Sequence, residues 1–179
     1  MRVLVVNAGS SSLKLRLLDD ACQLVATGEF GGGTPDPEAL GSWLTGAGSI
    51  DAVGHRIVHG GTEFTGPVRI AGDVEARLRA LTDLAPLHQP KSLAALDAVG
   101  AALPGVPAVA CFDTAFHASI PDAAATYALP AAWRQRWGLR RFGFHGISHA
   151  YASRRTAELL GVATESGSPR VVTCHLGAG

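Results

Sequence analysis

Arg56 is the residue of this chain whose chemistry is hardest to explain as packing. It sits in Gly54-His55-Arg56-Ile57-Val58-His59-Gly60-Gly61, an apolar run where a guanidinium is costly to bury unless paired. Its planar fork suits a carboxylate or a phosphate, from a ligand or from a structural acid. His55 and His59 have HxxxH spacing, but no Glu follows the first histidine and the run is strand-like, so the zinc-protease pattern is not met. Val58 can line a pocket or simply pack. Asp113 ends the apolar run 108–112. A carboxylate there can orient a nucleophile, take its proton, hold Mg2+ through water, or cap the next turn, as Thr114 also can. His145, in RRFGFHG beside a helix start, can donate a hydrogen bond to phosphoryl oxygens, and Phe144 can wall an apolar pocket. Leu87 and His88 lie in a loop bounded by Pro86 and Pro90, which can hold the histidine toward a ligand or toward a structural hydrogen bond.

Two small-residue turns have phosphate-binding chemistry. In Asn7-Ala8-Gly9-Ser10-Ser11-Ser12-Leu13-Lys14, hydroxyls, backbone N–H groups and a lysine converge on a tight strand–turn–strand, although a soluble hairpin turn uses the same residues. His175-Leu176-Gly177-Ala178-Gly179 has the same logic after an expected strand at 171–174. Neither GxxxxGK[ST] nor GxGxxG occurs, which disfavours a Walker-type kinase and a Rossmann dehydrogenase.

The elements that must position these residues follow from periodicity. Strands are expected at 3–6, from Leu13 through Leu17, at 22–30, 50–58 and 108–112, with a proline-bearing edge strand within 64–70. Helices are expected at 35–44 (with Thr34 as cap), 73–81, 92–103 and from Gly146 or Ser148 through Leu160. The alternation of strands and helices indicates an α/β fold with a mixed sheet. Ligands in such folds gather outside the carboxyl ends of strands, where Asn7, Arg56, Asp113 and His175 fall.

With 15 basic and 15 acidic residues there is no net charge to drive nucleic-acid binding, and the Arg134, Arg136, Arg140 and Arg141 run reads as a solvated basic face. No run reaches membrane-spanning length. Cys22, Cys111 and Cys174 never form CxxC, and their odd number and wide spacing point to reduced, buried thiols in a cytoplasmic protein. The chain stops within a glycine turn just after a fresh apolar strand, as a truncated chain would.

Six stretches together resemble the N-terminal part of the acetate/propionate kinase family, in the actin-like, sugar-kinase and Hsp70 ATPase superfamily: NAGSSSLK (7–14), GHRIVHGG (54–61), LAPLHQP (84–90), FDTAFH (112–117), RRFGFHGISH (140–149) and CHLGAG (174–179). The resemblance implies a ribonuclease-H-like mixed sheet with helices on both faces, the first domain of the actin-like ATPase fold. Residues 1–170 would form that domain, and 171–179 would begin a second, nucleotide-binding one. The implied reaction is ATP + acetate ⇌ ADP + acetyl phosphate, with Mg2+ (or Mn2+) as cofactor and a homodimer as the full-length assembly. By the same resemblance, Asn7 would help place Mg2+, and Ser10, Ser12 and Lys14 would serve the nucleotide phosphates. Arg56 would clamp the carboxylate or the transferring phosphoryl group, and Val58, Leu87 and Phe144 would surround the methyl group. Asp113 and His145 would be catalytic, His88 and His175 would contact the phosphoryl group, and Leu176, Gly177, Ala178 and Gly179 would line the ATP phosphates. Acetate is ionised near neutral pH, so Asp113 is expected to orient or hold metal rather than remove a proton.

Ala178 stands where the family pattern has Asn, Gln89 where it has Asn, and Ile147 where it has Thr. The stretch before GHRIVHGG is also shorter than usual. The isolated chain is therefore expected to be inactive or nearly so. A propionate kinase and a non-catalytic phosphate-binding fragment are the alternative readings.

Overall fold

The computed structural model describes residues 1–9, 12–32, 35–161 and 170–177. Six strands form one open sheet: β1 (Val3–Ala8), β2 (Ser12–Leu18), β3 (Leu24–Gly31), β4 (Ala52–Ile57), β5 (Val68–Arg69) and β6 (Ala108–Phe112), in the order β3-β2-β1-β4-β6-β5. β1, β4 and β6 run parallel at its centre, and β2, β3 and β5 are antiparallel to their neighbours. The parallel strands therefore end together, at Asn7, Arg56 and Asp113.

Period-two alternation decides the two faces. Leu4, Val6, Leu13, Leu15, Leu17 and Val53 form one buried surface, covered by Leu40 and Leu44 of α1 (Pro37–Ala47) and by Ala95 and Val99 of α3 (Gln89–Ala102). Farther along, Ile57, Ala110 and Phe112 pack on Phe64, on Val74 and Leu78 of α2 (Val74–Ala80), and on Leu93 and Leu96 of α3. On the other face Val3, Val5, Gly54 and Cys111 border a groove of about 760 Å³, with Ile147 and Tyr151 of α6 (Gly146–Leu159) on its far side. Two short helices, α4 (Asp122–Ala125) and α5 (Ala131–Trp137), fill the connection from β6 to α6. Among the described residues no helix is long and apolar enough to cross a membrane.

Several expectations are corrected. α1 is capped by Asp36, whose Oδ2 accepts from Ala39 N–H at 3.0 Å, and the expected cap Thr34 lies outside the described residues. α3 starts at Gln89 rather than at 92, because Pro90 occupies a first-turn position where its missing N–H costs nothing. The strand expected at 171–174 is not formed. Among the described residues that stretch has no ladder partner, and an apolar run without one does not make a strand; it lies instead against α6 through Thr173 and His175. The thiols are free but not buried: Cys22 and Cys174 are exposed and Cys111 is half-buried.

His55 faces α1–α3 within the sheet and is 2% exposed, with Nδ1 unpartnered. Burial lowers its pKa from 6.5 to about 4. The unfolded chain then binds a proton near pH 6.5 that the folded chain refuses until about pH 4, so stability is intact above pH 6.5 and is lost as the pH falls between those values. The loss should reach about 3 kcal/mol. Urea unfolding from pH 7 to pH 4 should show this slope in the natural chain and a flatter one in His55→Leu; equal slopes would refute the assignment.

Candidate active site

The central strands deliver Asn7, Arg56 and Asp113 to one edge of the sheet, with Arg56 as the hub. Its Nε and Nη2 both donate to Asp113 Oδ2, at 3.0 and 2.6 Å, and its Nη1 donates to Asn7 Oδ1 at 3.1 Å. Asp113 is 2% exposed, so this carboxylate is a buried anion held by a guanidinium and not a helix cap. Its main chain is fixed on both sides: its N–H donates to Ile57 O at 3.0 Å, and its C=O accepts from Gly146 N–H at 2.9 Å.

Gly146 opens α6, and the residue before it is His145, in the left-handed region at φ 53°. That conformation costs a non-glycine residue roughly 1–2 kcal/mol and persists where its surroundings over-determine it. The His145 ring stacks on His175, with centroids 4.2 Å apart and planes 9° from parallel. His175 Nδ1 lies 3.1 Å from Ser148 Oγ, and His149 Nδ1 lies 2.6 Å from Thr173 Oγ1, so residues 173–175 are tied to α6. Burial first, and then the neighbouring His175, lower the pKa of His145; Arg56 and His149 add to this and Asp113 opposes it. Its imidazole is therefore held toward the neutral form, a hydrogen-bond donor without a fixed charge.

Arg56, Asp113 and His145 share a cavity of about 220 Å³ with Val58, Leu84, Ala85, His88 and Phe144. Five residues that the sequence singled out thus meet Arg56 around one space. Leu87 does not join them: it is 77% exposed, and Leu84 and Ala85 supply that wall instead. The 3-10 turn Thr82–Leu84 brings the partly exposed Leu84 and the buried Ala85 to the cavity and leaves Leu87 on the outside of the loop.

The opening turn is tight, with Gly9 N–H donating to Ser12 O at 2.8 Å. Ser12 and Lys14 of β2 are engaged with β3: Ser12 Oγ donates to Glu29 Oε1 at 2.8 Å, and Lys14 Nζ lies 3.8 Å from the same oxygen. Lys14 is paired in register with Asn7 on the neighbouring strand. Leu176 and Gly177 are exposed beyond His175, while Ser10, Ala178 and Gly179 lie outside the described residues.

Among the described residues no three His, Cys, Asp or Glu side chains gather as a metal cage. Asp113 and Asn7 nevertheless offer hard oxygen donors beside Arg56, where both border the larger groove, and both Arg56 bonds to Asp113 fall on its Oδ2. Such a sparse donor set suits Mg2+, which keeps several waters and shares its coordination with substrate phosphates.

Sequence reasoning missed Leu84, Ala85, Gln89 and Thr114. The last two are buried polar residues, each immediately following a cavity residue, and that adjacency was the available signal.

The profile of the acetokinase family matches residues 42–179. The chain belongs to the acetokinase family. Acetate kinase of Parabacteroides distasonis is 40% identical over 214 residues, covering all of this chain and 53% of that protein. Acetate kinase of Dictyoglomus turgidum is 48% identical over 130 residues, covering 73% of this chain and 32% of that protein. Among solved structures, Porphyromonas gingivalis acetate kinase superposes with a TM-score of 0.80 at 36% identity, and a Francisella tularensis propionate kinase with 0.82 at 32%; each covers 90% of this chain and 49% of its own. The chain thus spans about half the length of the family members it matches. The open mixed sheet with its flanking helices resembles an actin-like ATPase domain.

Proposed function

We propose that the 220 Å³ cavity holds the acyl end of a short carboxylate or acyl phosphate, and that the family reaction is phosphoryl transfer from ATP to that carboxylate. One observation carries the reading: a guanidinium anchored by a buried Asp lines the same cavity as Val58, Leu84, Ala85 and Phe144. Charge recognition and apolar contact are both available in the one cavity, as an acyl phosphate requires.

In this reading Arg56 orients the acceptor carboxylate, and Asp113 and Asn7 hold Arg56 in place. A carboxylate oxygen forms the new bond to the γ-phosphorus as the bond to the bridging oxygen of ADP breaks. That oxygen leaves with the electron pair, and no proton changes hands. Asp113 therefore has no base work to do. His145 and His88 donate to phosphoryl oxygens, and a neutral His145 still can. Bound Mg2+ would neutralise phosphate charge, with Asp113 and Asn7 as its protein-side donors.

Acetyl is the first reading of the acyl group and propionyl the second, since one methylene changes preference by only about 1–3 kcal/mol and Ala85 leaves room on one wall. Calorimetric titration of the chain with acetyl phosphate, propionyl phosphate and inorganic phosphate tests this. Saturable binding is expected, with an acyl phosphate about fourfold or more tighter than phosphate, the value of a buried methyl. Equal affinity for phosphate would leave the apolar wall without a role and favour a plain phosphate-binding module.

A further inference from the structure

Of the stretches that reach the cavity, those at residues 56–58, at His88 and at Asp113 have main chains joined by buried polar contacts. Gln89, directly after His88, is fully buried. Its Oε1 accepts from His59 N–H at 3.4 Å, and its Nε2 donates to His59 O at 3.2 Å and to Leu78 O at 3.3 Å. Thr114, directly after Asp113, is 3% exposed, and its Oγ1 accepts from Gly60 N–H at 2.9 Å. His59 Nδ1 accepts from Gly61 N–H at 2.9 Å, closing the loop on itself. Gly60 has no slack, since a Cβ there would lie 2.4 Å from Phe64 O.

We propose that Gln89 and Thr114 are positioning residues, which use the main chain of His59 and Gly60 as a common anchor for three of the stretches that form the cavity. The proposal rests on the acyl-phosphate reading of that cavity. Each contact replaces water for a buried peptide group, so losing one leaves an unpaired donor or acceptor and obliges the loop to move. Val58 is the residue directly before His59, and Arg56 lies two further back on β4. Displacement of His59 is therefore transmitted to both the apolar wall and the guanidinium. Shifts of about 1 Å in such supports cost large factors in the chemistry they serve. Asn at position 89 is shorter by one carbon–carbon bond, about 1.5 Å, and cannot hold both faces of the His59 peptide units. Val at position 114 keeps the shape of Thr but cannot accept from Gly60.

The test uses Gln89→Asn, Thr114→Val and Thr114→Ser in this chain, with amide hydrogen exchange and titration by acetyl and propionyl phosphate. Exchange at His59 in Q89N and at Gly60 in T114V should quicken about tenfold or more. The propionyl-to-acetyl affinity ratio should change by about threefold or more in both variants, because the Val58 wall moves. T114S should restore both readouts. Unchanged exchange overturns the anchor. Quickened exchange with an unchanged ratio overturns the positioning role and leaves a purely structural one. Absence of acyl phosphate binding by the unsubstituted chain overturns the reading of the cavity instead, and the exchange rates then decide the anchor alone. If Q89N does not fold, the T114V and T114S pair decides.

Discussion

Arg56→Ala should abolish acyl phosphate binding and destabilise the chain by about 3–5 kcal/mol in the same step, because it removes the ligand's cationic partner and strips a buried carboxylate of its own. Asp113 receives two of the Arg56 hydrogen bonds on one oxygen, and its side chain is 3% exposed, so water does not replace them. The two losses are separable. Adding Asp113→Asn to Arg56→Ala removes the stranded charge and should return much of the stability, while binding stays lost. Arg56→Lys keeps a charge but not the fork that serves Asp113 and Asn7 together, and should fall between. Urea unfolding and acetyl phosphate titration of the natural chain, Arg56→Ala, Asp113→Asn and the double variant form a double-mutant cycle, with Arg56→Lys measured beside it. Full stability in Arg56→Ala would show that Asp113 is not held by this arginine, and the site as described would fail.

Gly146→Ala should be the most damaging single-methyl addition near the site. A Cβ at position 146 would lie 2.1 Å from the Asp113 carbonyl oxygen and 2.8 Å from Phe116 Cβ. The first contact is with backbone at the end of a buried strand, so α6 must shift, and with it His145 and the Gly146 N–H bond to Asp113. A cost of about 3 kcal/mol is expected, at the upper end for overpacking because no rotamer change relieves the clash. Gly143→Ala is the control. Its Cβ would meet the His117 ring at 2.1 Å, but a ring can swing away at the price of its contact with Phe144 O. Thermal melts should rank Gly146→Ala below Gly143→Ala. The reverse order would mean that α6 yields more easily than the imidazole.

The frame of the fold was legible because its strands carry their own register. Leu13, Leu15 and Leu17 alternate with Lys14 and Arg16, and β6 falls at 108–112 as periodicity requires. Asn7, Arg56 and Asp113 were legible as polar residues closing apolar runs, where burial without a partner is too costly to be incidental. The failures have a different origin. Whether Leu87 or Leu84 faces inward depends on the path of an irregular loop, which no periodicity encodes. Residues 171–174 are apolar and β-prone, yet a strand exists only where a neighbouring edge accepts it. Gln89 looked like a variant of a loop residue; its place as a buried bridge between α2, α3 and the end of β4 depends on three segments meeting.

The placement of β1, β4 and β6 side by side also bears on the order in which a nascent chain can fold. The β1–β2–β3 meander is local, and it can close once residue 31 has left the ribosome. Arg56, by contrast, is 49 residues from Asn7 and 57 from Asp113 along the chain, and those bonds require parallel pairings across long loops. Loop-closure entropy must be met before such contacts contribute, so they form late and slowly. Until Asp113 emerges, the growing chain carries a guanidinium in an apolar strand with no carboxylate to receive it. Synthesis therefore leaves a window, from residue 56 to residue 113, in which β4 cannot be finished and its apolar residues lack their final cover.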